Sequence, residues 1–193
     1  MSNASLIAMT TTDISERDIE SSIAGVNALK AGKSVDPSHL PQSVYMDKGK
    51  KANLPPVFDA NGYYIVNGTV ADILSRYDLG EGGLYPVNVW QSDRATPVEG
   101  PWFCWVFGNT KSAFSKAKSV NMLDRGVAGG EWAKMPYTPA DFEVAVTSEA
   151  LSGPDVWLDL KLFKTVFMSR ELGDELAAAN LGQFFELYRA KIV

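Results

Sequence analysis

The sequence has very few of the residue types on which most active sites depend. Its 193 residues include one cysteine, Cys104, and one histidine, His39. A single cysteine excludes an intramolecular disulfide, and these two residues cannot build a zinc site unless carboxylates supply nearly all the ligands. Because Cys104 lies in the apolar run 102–107, we expect a buried, inert thiol rather than a nucleophile.

The remaining sequence offers no partner for His39 in catalysis. His39 lies between two prolines in a predicted loop, and no nucleophile-elbow sequence is present to form a triad with it. The glycine-rich stretch 80–83 follows a predicted helix instead of preceding one, and the stretch 126–130 is not followed by Lys-Ser or Lys-Thr. Neither matches a phosphate-binding loop or a dinucleotide fingerprint. The sequence therefore predicts no catalytic residue, no cofactor and no metal.

Long apolar runs and a strong charge of one sign are also missing. The net charge is −5, with 12 acids and 8 bases in residues 1–100 and 11 acids and 10 bases in residues 101–193. Neither half has the basic excess that nucleic-acid binding needs. No stretch approaches the ~20 apolar residues of a membrane span, and no basic residue precedes the short apolar run 6–9. We expect a cytoplasmic protein whose mild acidity suits a basic protein partner or plain solubility.

The first 56 residues are predicted to form an arm or cap on the main fold. Residues 15–31 have the apolar spacing of an amphipathic helix. The predicted stripe consists of Ile19, Ile23, Val26 and Lys30, with Leu29 beside it. Prolines punctuate residues 33–56, which we interpret as irregular. We therefore divide the chain into an N-terminal helix and Pro-rich arm, residues 1–56, and a single α+β domain, residues 57–193.

Residues 64–90 and 166–193 look like two copies of one unit. Each has a short β-prone run, a polar helix cap, a helical stripe, a glycine stop and a strand-like segment that opens on Leu-Tyr. The matched positions are Asn67 and Ser169 for the caps, Leu74 and Leu176 for the stripes, and Gly80 and Gly182 for the stops. We interpret the pair as a duplicated scaffold, so function is expected in segments that the copies do not share, chiefly 1–56 and 108–140.

Three further segments complete the predicted sheet. Residues 102–107 are apolar on both faces, which favours a central strand. Pro86 places the segment 84–90 at an edge, because proline cannot donate to a neighbouring strand. Residues 142–147 alternate in polarity and predict another strand. The predicted fold is α+β, with a mixed sheet built from two similar strand–helix–strand units plus hairpin strands, and an N-terminal helix.

Carboxylates are the remaining catalytic option. Asp155 and Asp159 flank Trp157, and Glu131 lies in the preceding turn-rich region. A glycosidase-type hydrolase needs two carboxylates that face one cleft at a defined separation. The alternative interpretation of these residues is a loop cap and a solvated surface.

Two aromatic residues in the glycine- and turn-rich segment 120–140 stand out. Trp132 and Tyr137 lie in a predicted loop, where an exposed aromatic residue would serve as an interface anchor. Core packing is the alternative for Trp132, as it is for aromatic residues in strands. We take Trp132, Tyr137, Asp155 and Asp159 as the candidate partner surface.

Segments of both repeat units resemble immunity protein family eleven of bacterial polymorphic toxin systems, formerly a domain of unknown function. In the first half the resembling segments are Pro55-Pro56-Val57-Phe58, Tyr64-Ile65-Val66-Asn67, Asp72-Ile73-Leu74 and Leu84-Tyr85-Pro86-Val87. In the second half they are Asp155-Val156-Trp157-Leu158-Asp159 and Val166-Phe167-Met168-Ser169, followed by Leu172, Leu176 and Gly182. The resemblance spans about residues 54–193 and leaves the N-terminal helix outside.

The resemblance implies a non-enzymatic protein that binds and blocks a cognate toxin, and it brings no catalytic residues to this chain. A soluble fold without a catalytic constellation agrees with that expectation. Two alternatives stay open at this point. One is a small hydrolase that uses paired carboxylates near Trp157, and the other is a self-associating structural protein, for which a homo-oligomer is expected.

Overall fold

The computed structural model describes residues 8–10, 16–46, 53–128, 130–135 and 140–193, with side chains described from residue 20 onward. Within these ranges the helices are α1 (Glu16–Lys30), α2 (Gly68–Leu74), α3 (Arg170–Ala178) and α4 (Gly182–Phe185). Short 3-10 helices span Pro37–His39, Lys116–Lys118 and Ser148–Leu151. The strands are β1 (Ala8–Thr10), β2 (Ser43–Met46), β3 (Val57–Ala60), β4 (Tyr63–Asn67), β5 (Gly83–Pro86), β6 (Asn88–Trp90), β7 (Trp102–Val106), β8 (Met122–Asp124), β9 (Trp132–Lys134), β10 (Ala145–Val146), β11 (Val156–Leu158), β12 (Val166–Met168) and β13 (Lys191–Ile192). The predicted α+β class and the predicted N-terminal helix are confirmed.

The first repeat unit is a β-hairpin followed by a helix. Strands β3 and β4 pair antiparallel, with Val57 opposite Val66. The Asn67 N–H donates to the Pro56 carbonyl at 2.9 Å, and the Asn67 side-chain oxygen accepts a hydrogen bond from the Val70 N–H at 3.0 Å. Asn67 therefore caps α2 as predicted, because it satisfies one of the N–H groups that the first turn leaves unpaired.

The second unit has the same arrangement. Strands β11 and β12 pair antiparallel, with Val156 opposite Met168. The Ser169 N–H donates to the Asp155 carbonyl at 2.7 Å, and the Ser169 hydroxyl accepts a hydrogen bond from the Leu172 N–H at 3.4 Å. The stripe residues that match, Val70 with Leu172 and Leu74 with Leu176, are all 0% exposed. The predicted alignment of caps and stripes is confirmed, and each unit includes the strand that precedes it.

The glycine stops predicted at both helix ends were wrong. Helix α2 ends at Leu74, and Gly80 lies in a later turn with a left-handed φ of 55°. Gly182 is the first residue of α4, and the left-handed residue after α3 is Asn180, with a φ of 59°. Asparagine enters the left-handed region more readily than most residues, so it takes the place expected for glycine.

The strands predicted after each helix also differ from the structure. The segment 84–90 forms β5 and β6, which belong to different sheets. The strand predicted to open on Leu187-Tyr188 was wrong, because only the two-residue β13 is formed after α4. Phe185 of α4 is buried beside Trp105, with ring centroids 6.1 Å apart, and this aromatic contact favours the helical turn. Of the strand predicted over 142–147, only β10 is formed.

A four-stranded sheet in the order β3-β4-β7-β5 lies at the centre of the fold. Strand β7 lies between β4 and β5, which confirms the central strand predicted over 102–107. Pro86 lies on the edge strand β5, as predicted. The second unit does not extend this sheet, because the Leu158 backbone of β11 bonds to Asn109 and Lys111 instead. The predicted mixed sheet is therefore divided into separate sheets.

Alternate residues of β7 face two hydrophobic clusters. Cys104 and Val106 belong to the first, which also contains Leu29 of α1 and Val44 of β2, so the described part of segment 1–56 packs into the same core. Trp105 belongs to the second, with α2, α3 and α4. Cys104 is 0% exposed, and burial raises the pKa of its thiol to about 12. The predicted burial of Cys104 is confirmed.

Helix α1 is rotated away from the predicted stripe. Ile23 is 56% exposed, whereas Gly25 and Leu29 are buried. A Cβ atom at Gly25 would lie 2.5 Å from the Tyr63 hydroxyl, and that hydroxyl donates to the Ser22 carbonyl at 3.0 Å. Only small residues allow α1 to approach Tyr63 so closely. These residues, and not the predicted apolar stripe, therefore determine which face of α1 is buried. The side chain of Ile19 lies outside the described residues.

Helices α2 and α3 of the two units pack against each other through polar contacts as well as their stripes. The Tyr77 hydroxyl, after α2, donates to the Glu175 carboxylate of α3 at 2.6 Å. Arg76 forms an ion pair with the same carboxylate. The hydrogen bond to Glu175 raises the pKa of Tyr77 to about 12, and the same bond together with Arg76 lowers the pKa of Glu175. The contacts link the two units at their helical side.

Asn109 joins the two units at the other side. The two hydrogens on its Nδ2 atom are shared among three carbonyl oxygens, those of Leu79 at 2.8 Å, Phe107 at 2.7 Å and Val156 at 3.0 Å. Its Oδ1 atom accepts a hydrogen bond from the Glu81 N–H at 3.0 Å. The residue is 9% exposed. One side chain thus satisfies backbone groups of the turn after α2, the end of β7 and strand β11.

We predict that Asn109→Ala lowers the free energy of unfolding by about 3 kcal/mol, because it leaves several buried backbone groups without partners. Urea unfolding followed by circular dichroism measures the change. The matched control is Asn53→Ala at an exposed position, which we expect to change stability by less than about 0.5 kcal/mol. Equal effects of the two substitutions would contradict the role assigned to Asn109.

Candidate protein-binding surface

Asp155 and Asp159, two residues of the predicted partner surface, hold backbone groups in place. The Asp155 carboxylate accepts a hydrogen bond from the Asp78 N–H at 2.8 Å and so ties the turn after α2 to β11. The Asp159 carboxylate accepts hydrogen bonds from the Phe114 N–H at 2.7 Å and the Lys161 N–H at 3.0 Å. Asp159 is 3% exposed, so its carboxylate does not lie on the surface.

The structure does not bring the candidate carboxylates into one cleft. Asp155 and Asp159 lie at opposite ends of β11, and four residues of extended chain separate their Cα atoms by roughly 13 Å. Glu131 forms an ion pair with Arg125. Trp157 between the aspartates is 4% exposed and stacks on Phe167, with ring centroids 5.5 Å apart. The geometry therefore gives no support to a hydrolase with paired carboxylates at this position.

Trp132 lies in β9, rather than in a loop, and is half-buried. Its backbone N–H donates to the Lys161 carbonyl at 2.8 Å. The ammonium of Lys116 lies 4.6 Å from the centroid of its indole ring. Trp132 therefore attaches the β8–β9 hairpin to the loop after Asp159, and the structure brings these two predicted residues into one region. Tyr137, the remaining member of the predicted surface, lies outside the described residues.

Large apolar side chains are exposed on the hairpin and the segments next to it. We define the 120–142 face by Val120, Leu123, Met135 and Phe142, which are 52%, 49%, 39% and 57% exposed. Backbone hydrogen bonds place these segments side by side, because the Met135 N–H donates to the Asn121 carbonyl at 2.8 Å and the Val120 N–H donates to the Glu143 carbonyl at 2.9 Å. We take these four residues as the candidate interaction surface, because exposed apolar patches are typical of such surfaces.

Phe142 is the most exposed residue of the face and has a strained backbone. Its φ is 66°, in the left-handed region that bulky residues rarely adopt. The Phe142 N–H donates to the Arg189 carbonyl at 2.7 Å. A strained conformation persists only where surrounding contacts enforce it, and such residues cluster at functional sites. Periodicity gave no sign of this residue, because its backbone is held by the 140–143 turn and by the contact with the distant Arg189.

A mostly buried ion pair supports the chain on both sides of Phe142. Lys134 is 7% exposed, and its ammonium lies 2.7 Å from a carboxylate oxygen of Glu143. The Glu143 carboxylate also accepts hydrogen bonds from the Ala140 N–H at 2.8 Å and from the Asn121 side chain at 2.9 Å. The bond from Lys134, followed by that from Ala140, lowers the pKa of Glu143. Glu143 thus fixes three segments that carry the 120–142 face.

An open depression of about 510 Å³ lies elsewhere, beside the end of α1. Its lining residues are Gly32, Lys33, Ser34, Glu81, Gly108, Asn109, Thr110 and Pro154. The polar atoms of the Asn109 side chain already bond to backbone groups, so they are not directed at a ligand there. Among the described residues, no three metal-ligating side chains converge. None of the helices in the described ranges has the length and apolar character that a membrane crossing requires.

No family model matches the chain, and neither the curated proteins nor the solved structures give a match. The resemblance to immunity protein family eleven therefore stays a prediction that depends on the segments quoted above.

We predict that Glu143→Gln makes the melting temperature depend less steeply on pH between pH 7 and pH 3. Folding lowers the pKa of Glu143 from its unfolded value of 4.5. The ionised carboxylate therefore stabilises the fold at a pH above this unfolded pKa, and that stabilisation is lost as the pH falls through the folded pKa. Thermal unfolding from pH 7 to pH 3 measures this contribution. The matched control Glu149→Gln removes an exposed carboxylate from the 148–151 helix, and the slope of Glu143→Gln should be flatter than that of this control. A wild-type slope in Glu143→Gln would contradict the assignment.

Proposed function

We propose that the protein is a cytoplasmic, non-enzymatic immunity-type protein that binds and neutralises a cognate bacterial toxin through the 120–142 face. The observation that carries this proposal is Phe142, an aromatic side chain that is 57% exposed on a strained backbone. An exposed aromatic side chain is typical of an interface anchor, and a strained backbone is typical of a functional site, so Phe142 combines two features of a binding residue.

The neighbours of Phe142 support a protein partner rather than a small molecule. The 120–142 face combines the β8–β9 hairpin with the segment beside it, and the depression beside α1 lies elsewhere. Small-molecule sites are concave and enclose most of the ligand, whereas protein interfaces centre on a few exposed apolar anchors. Val120, Leu123 and Met135 supply the apolar surroundings that an anchor requires.

The kind of partner comes from the resemblance to immunity protein family eleven. The net charge of −5 would attract a basic partner at long range, as an inhibitor of a basic toxin requires. The position of the 120–142 face also agrees with an immunity-type function, because the face lies between the two repeat units in sequence and belongs to neither. A scaffold of two similar units would keep its shape while the segment between them changed to suit different toxins.

Co-expression with the toxin-like product of the neighbouring gene tests the proposal. We expect a complex that survives affinity purification and size-exclusion chromatography, and we expect cells that carry both proteins to grow. Absence of both binding and protection would contradict the proposed function. The solution mass of the chain alone, measured at high concentration, separates this function from the self-associating alternative, which requires an oligomer without the toxin.

We predict that Phe142→Asp weakens toxin binding by about 30-fold, the loss expected for one anchor residue. The variant should remain folded, because aspartate adopts the left-handed region more readily than phenylalanine. Isothermal titration measures the affinity and circular dichroism the melting temperature. The matched control is Leu151→Asp, at a residue that is 72% exposed outside the face, and it should bind like the wild type. Equal affinities of the two variants would exclude Phe142 as an anchor.

A further inference from the structure

The C-terminal segment 187–193, here called the C-terminal strap, is attached to the fold mainly by backbone hydrogen bonds. Within it β13 pairs parallel to β10, with Lys191 opposite Ala145. The Lys191 N–H donates to the Val144 carbonyl at 2.8 Å, and the Val193 N–H donates to the Val146 carbonyl at 2.9 Å. The pairing covers an edge of the segment that follows Phe142.

The side chains of the strap contribute little to the core. Tyr188, Ile192 and Val193 are 43%, 46% and 44% exposed. Leu187 and Ala190 are half-buried against the second and third hydrophobic clusters. Segments with few buried apolar side chains open at a small fraction of the global free energy of unfolding. Strand β7, by contrast, contains Cys104 and Val106 at 0% exposure, so its amides should open only with the whole fold.

The same strap holds Phe142. The Arg189 carbonyl accepts the hydrogen bond of the Phe142 N–H at 2.7 Å, and the Arg189 N–H donates to the Asp141 carboxylate at 2.8 Å. These reciprocal bonds fix the two residues on either side of the Asp141–Phe142 peptide. The other supports of Phe142, the bonds of Glu143 to Ala140 and Lys134, do not involve the strap. Release of the strap therefore removes a contact that keeps Phe142 in its strained conformation.

We infer that the C-terminal strap opens separately from the core and that its opening releases Phe142. The strap would thus set the fraction of molecules in which Phe142 is held ready for a partner, and this consequence depends on the proposed function. The opening itself needs no partner. Its test therefore distinguishes failure of this inference from failure of toxin binding.

Amide hydrogen exchange of the full chain, followed by NMR, tests the inference. In the wild type we expect the Phe142 and Val193 amides to exchange at a common opening free energy and far faster than the Cys104 amide. In Lys191→Pro, which removes the donor to Val144, both should accelerate roughly tenfold, the effect of one lost hydrogen bond. The Cys104 amide should keep its wild-type rate.

The matched control is Ile192→Pro. The N–H groups of Lys191 and Val193 both face β10, so the intervening Ile192 N–H points away from it and its loss removes no bond to that strand. This variant should leave exchange at Phe142 unchanged. The inference would be overturned if Phe142 exchanged only with Cys104 in the wild type, or if both proline variants accelerated it equally. Should Lys191→Pro fail to fold, the wild-type comparison decides alone.

Discussion

The side chain of Asn109 holds together the three segments on which the rest of the structure depends. It bonds to the turn after α2, to the end of β7 and to β11, all within 3.0 Å. The backbone must approach very closely there, because a Cβ atom at Gly108 would lie 2.3 Å from the Gly82 nitrogen. Glycine admits the approach and asparagine supplies both donor and acceptor, so the two hairpin–helix units meet in one relative position.

This joint also determines where the segment between the units begins. After Asn109 the chain pairs with Leu158 of β11, and it then packs Ala113 and Phe114 into the third hydrophobic cluster with Trp157 and Phe167. Trp132 and Asp159 were predicted at the surface. Instead both bond to the backbone of Lys161 and so attach the hairpin of the 120–142 face to the loop after β11. Buried side chains and backbone hydrogen bonds therefore hold the segments that carry this face.

Local features of this fold were predictable from sequence and distant contacts were not. Asn67 and Ser169 act within one helical turn, so their cap roles follow from residue type and position alone. The orientation of α1 depends on Gly25 beside Tyr63, 38 residues further along the chain. The exposed conformation of Phe142 depends on Arg189, and the burial of Asp159 depends on the Phe114 N–H. Sequence periodicity does not report such contacts. For this reason Trp132 and Asp159 were predicted at the surface, although Trp132 is half-buried and Asp159 is buried.

We propose that a duplicated scaffold presents a partner surface built by the segment between its two units. Hydrogen-exchange mass spectrometry of the chain with and without a candidate cognate toxin tests this arrangement. We expect the toxin to protect peptides covering residues 118–128 and 140–146, while peptides of α2 and α3 exchange as in the free chain. Protection confined to α2 and α3, with no change across the 120–142 face, would contradict it.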